Sequence, residues 1–140
     1  MKLVDANVLL YAVDANALHH HRAREWLDSA LNDEEPLGFS WVVLLAFLRI
    51  STRSRLLARP LSPEQAFGCV ELWLSAAASV VLEPTSGHLG TLRRLLKPLG
   101  TAGNLTSDAH LAALALEHDA VIVSYDNDFD RFEGIRRLKL

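Results

Sequence analysis

Short runs of strand-forming residues alternate along this chain with longer segments of helical periodicity. The strand-like runs lie at residues 3–5, 37–39, 80–83 and 121–124. A helical pattern follows each of the first three runs, and a loop follows the fourth. The tail, residues 135–140, alternates apolar with basic residues and predicts an edge strand. We therefore predict a three-layer α/β domain, with a central, mainly parallel sheet flanked by helices.

Two helix starts are predicted from local sequence. Ser62 and Gln65, with a proline at the first helical position between them, are typical of a capping box. Thr106 or Ser107 is predicted to cap a later helix that runs to about His118.

Length and composition limit the possible classes of protein. The chain has 140 residues, 50% of them hydrophobic, which suits a single domain over residues 1–140. Its formal net charge of -3 indicates no overall attraction to nucleic acid or anionic lipid. The only cysteine, Cys69, excludes an internal disulfide and a cysteine zinc site. The N-terminus does not resemble a secretory signal, and no apolar run is long enough for a membrane span, so we expect a cytoplasmic protein.

Aspartates follow the predicted strands at positions that converge in a parallel sheet. Asp5 interrupts the apolar stretch "MKLVDANVLLYA", and Asp126 and Asp128 follow the fourth strand in "VIVSYDNDF". Asp108 lies in the first turn of the helix that begins in "LTSDAHLA". Because ligands bind beyond the carboxyl ends of parallel strands, these segments are predicted to bring their carboxylates to one edge of the sheet.

Each aspartate also has a structural interpretation. Asp5 is suited to cap the helix that follows it. Asp108 would interact favourably with the dipole of its own helix, and Asp126 with Asn127 would form a turn. Carboxylates gathered at one edge repel one another unless a cation or proton neutralises them. Because no cluster of Cys or His accompanies these acids, the sequence favours a hard, oxygen-bound cation, Mg²⁺ or Mn²⁺. Phosphodiester hydrolysis is the reaction that such a site suits.

Motifs along the whole chain resemble those of one family. "VDANVLLYA", "SWVVLLAFLRIST" and "LTSDAHLAALALEHDAVIVSYDNDF" are similar to PIN domains, and in particular to VapC ribonuclease toxins of bacterial toxin–antitoxin pairs. The resemblance implies a metal pocket of Asp5, Asp108 and Asp126, with Asp128 as a further catalytic acid. Asn7 matches a polar residue that accompanies the first aspartate. The resemblance also implies an RNA substrate, a VapB-type antitoxin and a homodimer.

One position departs from the family pattern. The family often has a glutamate just before the "FLR" segment, where this chain has Ala46. The alternative hypothesis is therefore an RNA- or antitoxin-binding module of the same fold with weak or lost catalysis. A receiver-like signalling domain is less well supported, because residues 124–128 contain no lysine.

Other side chains have two interpretations each. Arg49, Arg53, Arg55 and Arg59 lie in a segment without acids and form either a phosphate-binding patch or a solvated face. We predict that Arg49, Arg53 and Arg55 contact nucleic acid, and we predict the same of Asn7. Trp41 and Trp73 lie in apolar helical patterns, which favours burial in a core or an interface over stacking on bases.

Overall fold

Parallel strands form a five-stranded sheet in this computed structural model, which describes residues 1–53 and 59–140. The strands are β1 (Lys2–Val4), β2 (Leu37–Phe39), β3 (Ser79–Val81), β4 (Val121–Val123) and β5 (Arg137–Leu138). Their order is β3-β2-β1-β4-β5, and every neighbouring pair is parallel. The predicted parallel sheet, with the tail as an edge strand, is confirmed.

Helices connect and flank the strands. Over the described ranges they are α1 (Ala6–Val13), α2 (His20–Leu31), α3 (Trp41–Ser51), α4 (Pro63–Ser75), α5 (His88–Leu96) and α6 (Thr106–Glu117). α1 packs on α2 and α3, α3 on α4, and α5 on α6. Nowhere in residues 1–53 and 59–140 is there a helix long and apolar enough to cross a membrane.

The core is continuous across the sheet. Leu3 and Val4 of β1 and Ile122 and Val123 of β4 are fully buried, as expected for parallel strands covered on both faces. Gly38 allows β2 to pack closely, because a Cβ there would lie 3.1 Å from the Lys2 carbonyl oxygen and 2.9 Å from Leu82 Cδ1. The short strands are thus held in register by burial as well as by hydrogen bonds.

The two predicted helix starts have different outcomes. Ser62 Oγ accepts from Gln65 N at 3.1 Å and Gln65 Oε1 accepts from Ser62 N at 2.9 Å, which confirms the capping box. The cap predicted for α6 is wrong, because neither Thr106 nor Ser107 caps this helix. A short 3₁₀ helix, Gly103–Leu105, leads directly into α6, and Thr106 Oγ1 donates to the Gly103 carbonyl instead.

Trp41 and Trp73 differ in burial. Trp73 is 5% exposed and packs edge-on against Phe47, with ring centroids 4.8 Å apart. Trp41 is 49% exposed, so it lies outside the core of this chain, and its predicted burial in an interface stays a prediction. It is the first residue of α3, and the core-facing side of that helix is formed by Val43, Leu44 and Phe47.

Candidate active site

The carboxyl ends of β1 and β4 meet where the strand order reverses. β1 lies between β2 and β4, and Val4 is in register with Val123. The backbone N–H of Asp5 donates to the Val123 carbonyl at 3.1 Å, so Asp5 and Ser124 emerge side by side. Open parallel sheets bind ligands at such crevices. Asp5 and Ser124 therefore lie at the edge of the sheet where a ligand is expected.

Hydrogen bonds fix the Asp5 carboxylate on both oxygens. Oδ1 accepts from the Ala6 backbone N–H at 2.7 Å and so caps α1. Oδ2 accepts from Ser124 Oγ at 2.6 Å and from Asn7 Nδ2 at 2.9 Å. The capping interpretation of Asp5 is thus correct, and it is compatible with a role in the site.

Asn7 and Ser124 hold the two strand ends together. Asn7 Nδ2 lies 3.0 Å from Ser124 Oγ, and Asn7 Oδ1 accepts from the Tyr125 backbone N–H at 3.2 Å. Ser124, which is fully buried, also accepts from the Asp126 N–H at 2.9 Å. These bonds occupy the Asn7 amide within the protein, and an RNA contact by Asn7 stays a prediction. Sequence reasoning missed Ser124, although a serine directly after an apolar strand is a usable signal.

Asp108, Asp126 and Asp128 form a compact acidic cluster. One carboxylate oxygen from each lies within 4.8 Å of the others. Asp108 comes from the first turn of α6. Asp126 Oδ1 accepts from the Asp128 N–H at 2.8 Å and caps a 3₁₀ helix, Asn127–Arg131, which contains Asp128. Of the predicted metal ligands, Asp108 and Asp126 are therefore in the cluster, together with Asp128, while Asp5 is outside it.

Burial and mutual repulsion raise the pKa values of two of the carboxyl groups, those of Asp5 and Asp108. Burial raises the pKa of Asp5, although the hydrogen bond from Ser124 opposes this shift. Burial, together with the charges of Asp5, Asp126 and Asp128, raises the pKa of Asp108 to about 6. The ionised carboxylates therefore repel one another, and a bound cation would relieve this repulsion.

The raised pKa of Asp108 predicts a specific dependence of stability on pH. Ionised Asp108 opposes folding above pH about 6, and this effect disappears as the pH falls toward the ordinary pKa of 3.8. In the presence of chelator, Asp108→Asn should therefore raise the melting temperature at pH about 8 and change it much less at pH about 4. Thermal melts of both proteins over this range test the prediction. An equal difference at every pH would contradict it.

Arg137 braces the loop that carries the acidic cluster. Its guanidinium donates to both Asp130 oxygens, from Nε at 2.8 Å and from Nη2 at 2.7 Å. It also donates to Asn127 Oδ1 and to the Ser124 carbonyl, each at 3.2 Å. Only 11% of its side chain is exposed. This single side chain on β5 thus connects three points of the segment from β4 to the end of the 3₁₀ helix.

The donor set of the cluster fits a hard divalent cation. Over residues 1–53 and 59–140, Asp108, Asp126 and Asp128 are the only group of three His, Cys, Asp or Glu side chains close enough to share a metal ion. All of these donors are carboxylate oxygens, the ligands preferred by Mg²⁺ and Mn²⁺. The Asp128 side chain is half exposed, which leaves the site open to solvent.

A cavity of about 340 Å³ opens beside Asp5 and Asp108. Its other walls come from α3 and α6, including Ala46, Leu45 and Arg49. Ala46 therefore borders the same space as the acids, as the family resemblance implied, and does not lie in a dry core. Arg53 is exposed at the end of α3, and Arg55 lies outside the described residues.

Residues 2–135 match the PIN domain family profile. The chain belongs to this family. Ribonuclease VapC37 of Mycobacterium tuberculosis is 54% identical to it over 97% of this chain and 94% of the relative. Ribonuclease VapC33 of the same species is 40% identical over 97% and 95%, respectively. The resemblance to PIN domains and to VapC ribonucleases is thereby confirmed.

The same fold occurs in a solved VapBC structure. DNA-bound VapBC from Salmonella typhimurium superposes with a TM-score of 0.69, covering 99% of this chain and 98% of the other, at 22% identity. At this identity the match shows the fold only. In this PIN domain the position before "FLR" is an alanine, and the acidic cluster next to the cavity is formed without a residue from α3.

Proposed function

We propose that this PIN domain is a Mg²⁺-dependent endoribonuclease and the toxin of a type II toxin–antitoxin pair. The observation that carries the proposal is the acidic cluster, three carboxylates within 4.8 Å at the switch point of the sheet. The relatives named Ribonuclease VapC, at 54% and 40% identity, support RNA as the substrate.

The residues of the site have distinct roles in this proposal. Asp108, Asp126 and Asp128 would hold Mg²⁺ or Mn²⁺, and Asp5 would orient the attacking water. A bound divalent cation supplies positive charge for the phosphate oxygens and makes a coordinated water more acidic. Ser124 and Asn7 keep the Asp5 carboxylate in place, through bonds of 2.6 and 2.9 Å to the same oxygen. Hydrolysis joins a water oxygen to phosphorus and breaks one backbone P–O bond.

Arg49 is the cation placed to bind the substrate. It lines the cavity that Asp5 and Asp108 share, and within the described part of the chain it makes no ion pair. We propose that it binds an RNA phosphate, and that Arg53, exposed just beyond the end of α3, binds another. Such contacts position the backbone without reading its sequence.

The enzyme proposal is tested by incubating the purified protein with total cellular RNA, with Mg²⁺ in one sample and EDTA in the other. Mapping of new RNA ends should show discrete cuts only with Mg²⁺. The Asp108→Asn protein is the control for contaminating nucleases. Metal-independent cuts, or equal cutting by the Asp108→Asn protein, would refute the assignment.

A second candidate function follows from Ala46. If catalysis requires an acid on α3, which this chain lacks, the protein would be an RNA- or antitoxin-binding module with weak or lost catalysis. Retention of RNA on a filter with Mg²⁺, without any new ends, would support this alternative over the enzyme.

Ala46→Glu tests whether the missing acid limits metal binding. Because Ala46 shares the cavity with Asp5 and Asp108, a carboxylate there should tighten Mn²⁺ binding by roughly tenfold, measured by calorimetry without RNA. Ala77→Glu, at an exposed position outside the cavity, is the matched control and should leave the affinity unchanged. If Ala46→Glu lowers the melting temperature at every Mn²⁺ concentration without tightening binding, this account of Ala46 is wrong.

The proposed partners are a VapB-type antitoxin and a second copy of the chain, in the cytoplasm. Exposed apolar side chains outside the cavity support such contacts, among them Phe67 (49%) and Leu72 (67%). We expect expression to arrest growth, co-expression of a small protein from the adjacent gene to relieve the arrest, and light scattering to show a dimer. A non-toxic monomer at micromolar concentration would contradict this prediction.

A further inference from the structure

The cavity beside the acidic cluster has two chemically different walls. Asp5 and Asp108 form a charged wall, and an apolar wall faces the same space. The apolar wall includes Val42, Leu45, Ala46 and Leu111. The cavity has a volume of about 340 Å³, which falls at the lower end of the range for small-ligand pockets, roughly 300–1,000 Å³.

The composition of α3 explains this wall. Val42, Leu45, Ala46 and Arg49 are three or four residues apart in sequence, so they share one helical face. That face points away from the core side, where Leu44 and Phe47 are fully buried. Leu45 consequently leaves 58% of its surface exposed next to ionisable groups. An apolar surface of α3 therefore faces the cavity beside Asp5 and Asp108.

We infer that the apolar wall is a nucleoside subsite, which binds the unpaired nucleoside attached to the reacting phosphate. This inference rests on the proposed ribonuclease function. A phosphate held at the acidic cluster is covalently linked to a ribose on each side, so a nucleoside must occupy the space next to the carboxylates. The cavity is the space that borders Asp5 and Asp108.

The chemistry of the wall suits the face of a base. Aliphatic side chains contact the flat surface of a base without hydrogen bonds to its edge, so the subsite tolerates different bases and requires an unstacked one. The small Ala46 side chain leaves room that a larger residue would fill. Arg49, one turn after Leu45, adds positive charge at the same cavity, which favours RNA over an apolar peptide.

The test uses the full chain and a short, fluorescently labelled, single-stranded oligoribonucleotide. Ala46→Leu and Leu45→Ser should each raise KM about tenfold and change kcat less, and their Mn²⁺ affinity without RNA should equal that of the wild type. Leu89→Ser is the matched control, since Leu89 is 73% exposed on α5 and outside the cavity. A duplex of the same sequence should bind weakly to the wild type and be insensitive to both cavity substitutions.

The outcomes separate this inference from the proposed function. If the wild type cleaves and both cavity variants keep its KM, the subsite is wrong and the ribonuclease stands. If the wild type does not cleave, the ribonuclease proposal fails, and anisotropy of the same oligonucleotide tests the subsite, with Leu45→Ser expected to weaken binding. Unchanged RNA binding by Leu45→Ser, together with lost binding of the co-expressed antitoxin, would assign the wall to a protein partner and overturn the inference.

Discussion

RNA cleavage by the Asp108→Asn protein is expected to fall about a thousandfold or more below that of the wild type, since a lost metal ligand removes several kcal/mol of transition-state stabilisation. Asparagine keeps the shape of the side chain and removes its charge. The substitution also relieves the repulsion that raises the pKa of Asp108 to about 6. The inactive variant should therefore be at least as stable as the wild type in chelator at neutral pH, which separates a site defect from misfolding.

Asp28→Asn provides a matched control for this substitution. Asp28 lies on α2 with 67% of its side chain exposed and pairs with Arg24 at 3.8 Å, a surface pair of little energetic weight. Cleavage by this variant should equal that of the wild type. Asp5→Asn and Asp126→Asn are expected to abolish cleavage as Asp108→Asn does. Full activity of Asp108→Asn would refute the proposed metal pocket, and full activity of Asp5→Asn would refute the role proposed for Asp5.

The sheet and the convergence of its acids were predictable because both depend on patterns that are local in sequence. Apolar runs of strand length alternate with helical periodicity, and this alternation dictates a parallel sheet. Topology then places the residues after β1 and β4 at one edge, so Asp5 and Asp126 needed no contact information. Asp108 followed from the start of α6, even though the predicted capping residue there was wrong.

The composition of the acidic cluster was less predictable, because it depends on side-chain direction. The Asp5 oxygens accept hydrogen bonds from Ala6, Asn7 and Ser124, whereas Asp128, in the 3₁₀ helix, lies in the cluster. A sequence pattern does not determine that turn. The orientation of α3 was similarly hidden, since an unbroken apolar segment does not show which face is exposed.

Arg137→Gln is expected to weaken Mn²⁺ binding by about 10–100-fold, as losses of groups that orient metal ligands usually do. Sequence reasoning missed this residue because it is one of several basic residues in the tail. The structure shows that its guanidinium contacts Asp130, Asn127 and the Ser124 carbonyl. Without these bonds, the loop carrying Asp126 and Asp128 loses its side-chain connection to β5. The expected cause of weaker binding is therefore a more variable spacing of the carboxylates.

Two variants distinguish the effect of the Arg137 hydrogen bonds from the effect of its positive charge. Arg137→Lys keeps the positive charge but loses the planar fork that reaches both Asp130 oxygens, so it should retain only part of the Mn²⁺ affinity. Arg136→Gln removes a neighbouring arginine that pairs with Asp119 at the surface, and it should leave the affinity unchanged. Calorimetry with Mn²⁺ and thermal melts in EDTA should be run on all variants. Because a purely structural role predicts a lower melting temperature with unaltered Mn²⁺ affinity, that result for Arg137→Gln would exclude Arg137 as the residue that positions the acidic cluster.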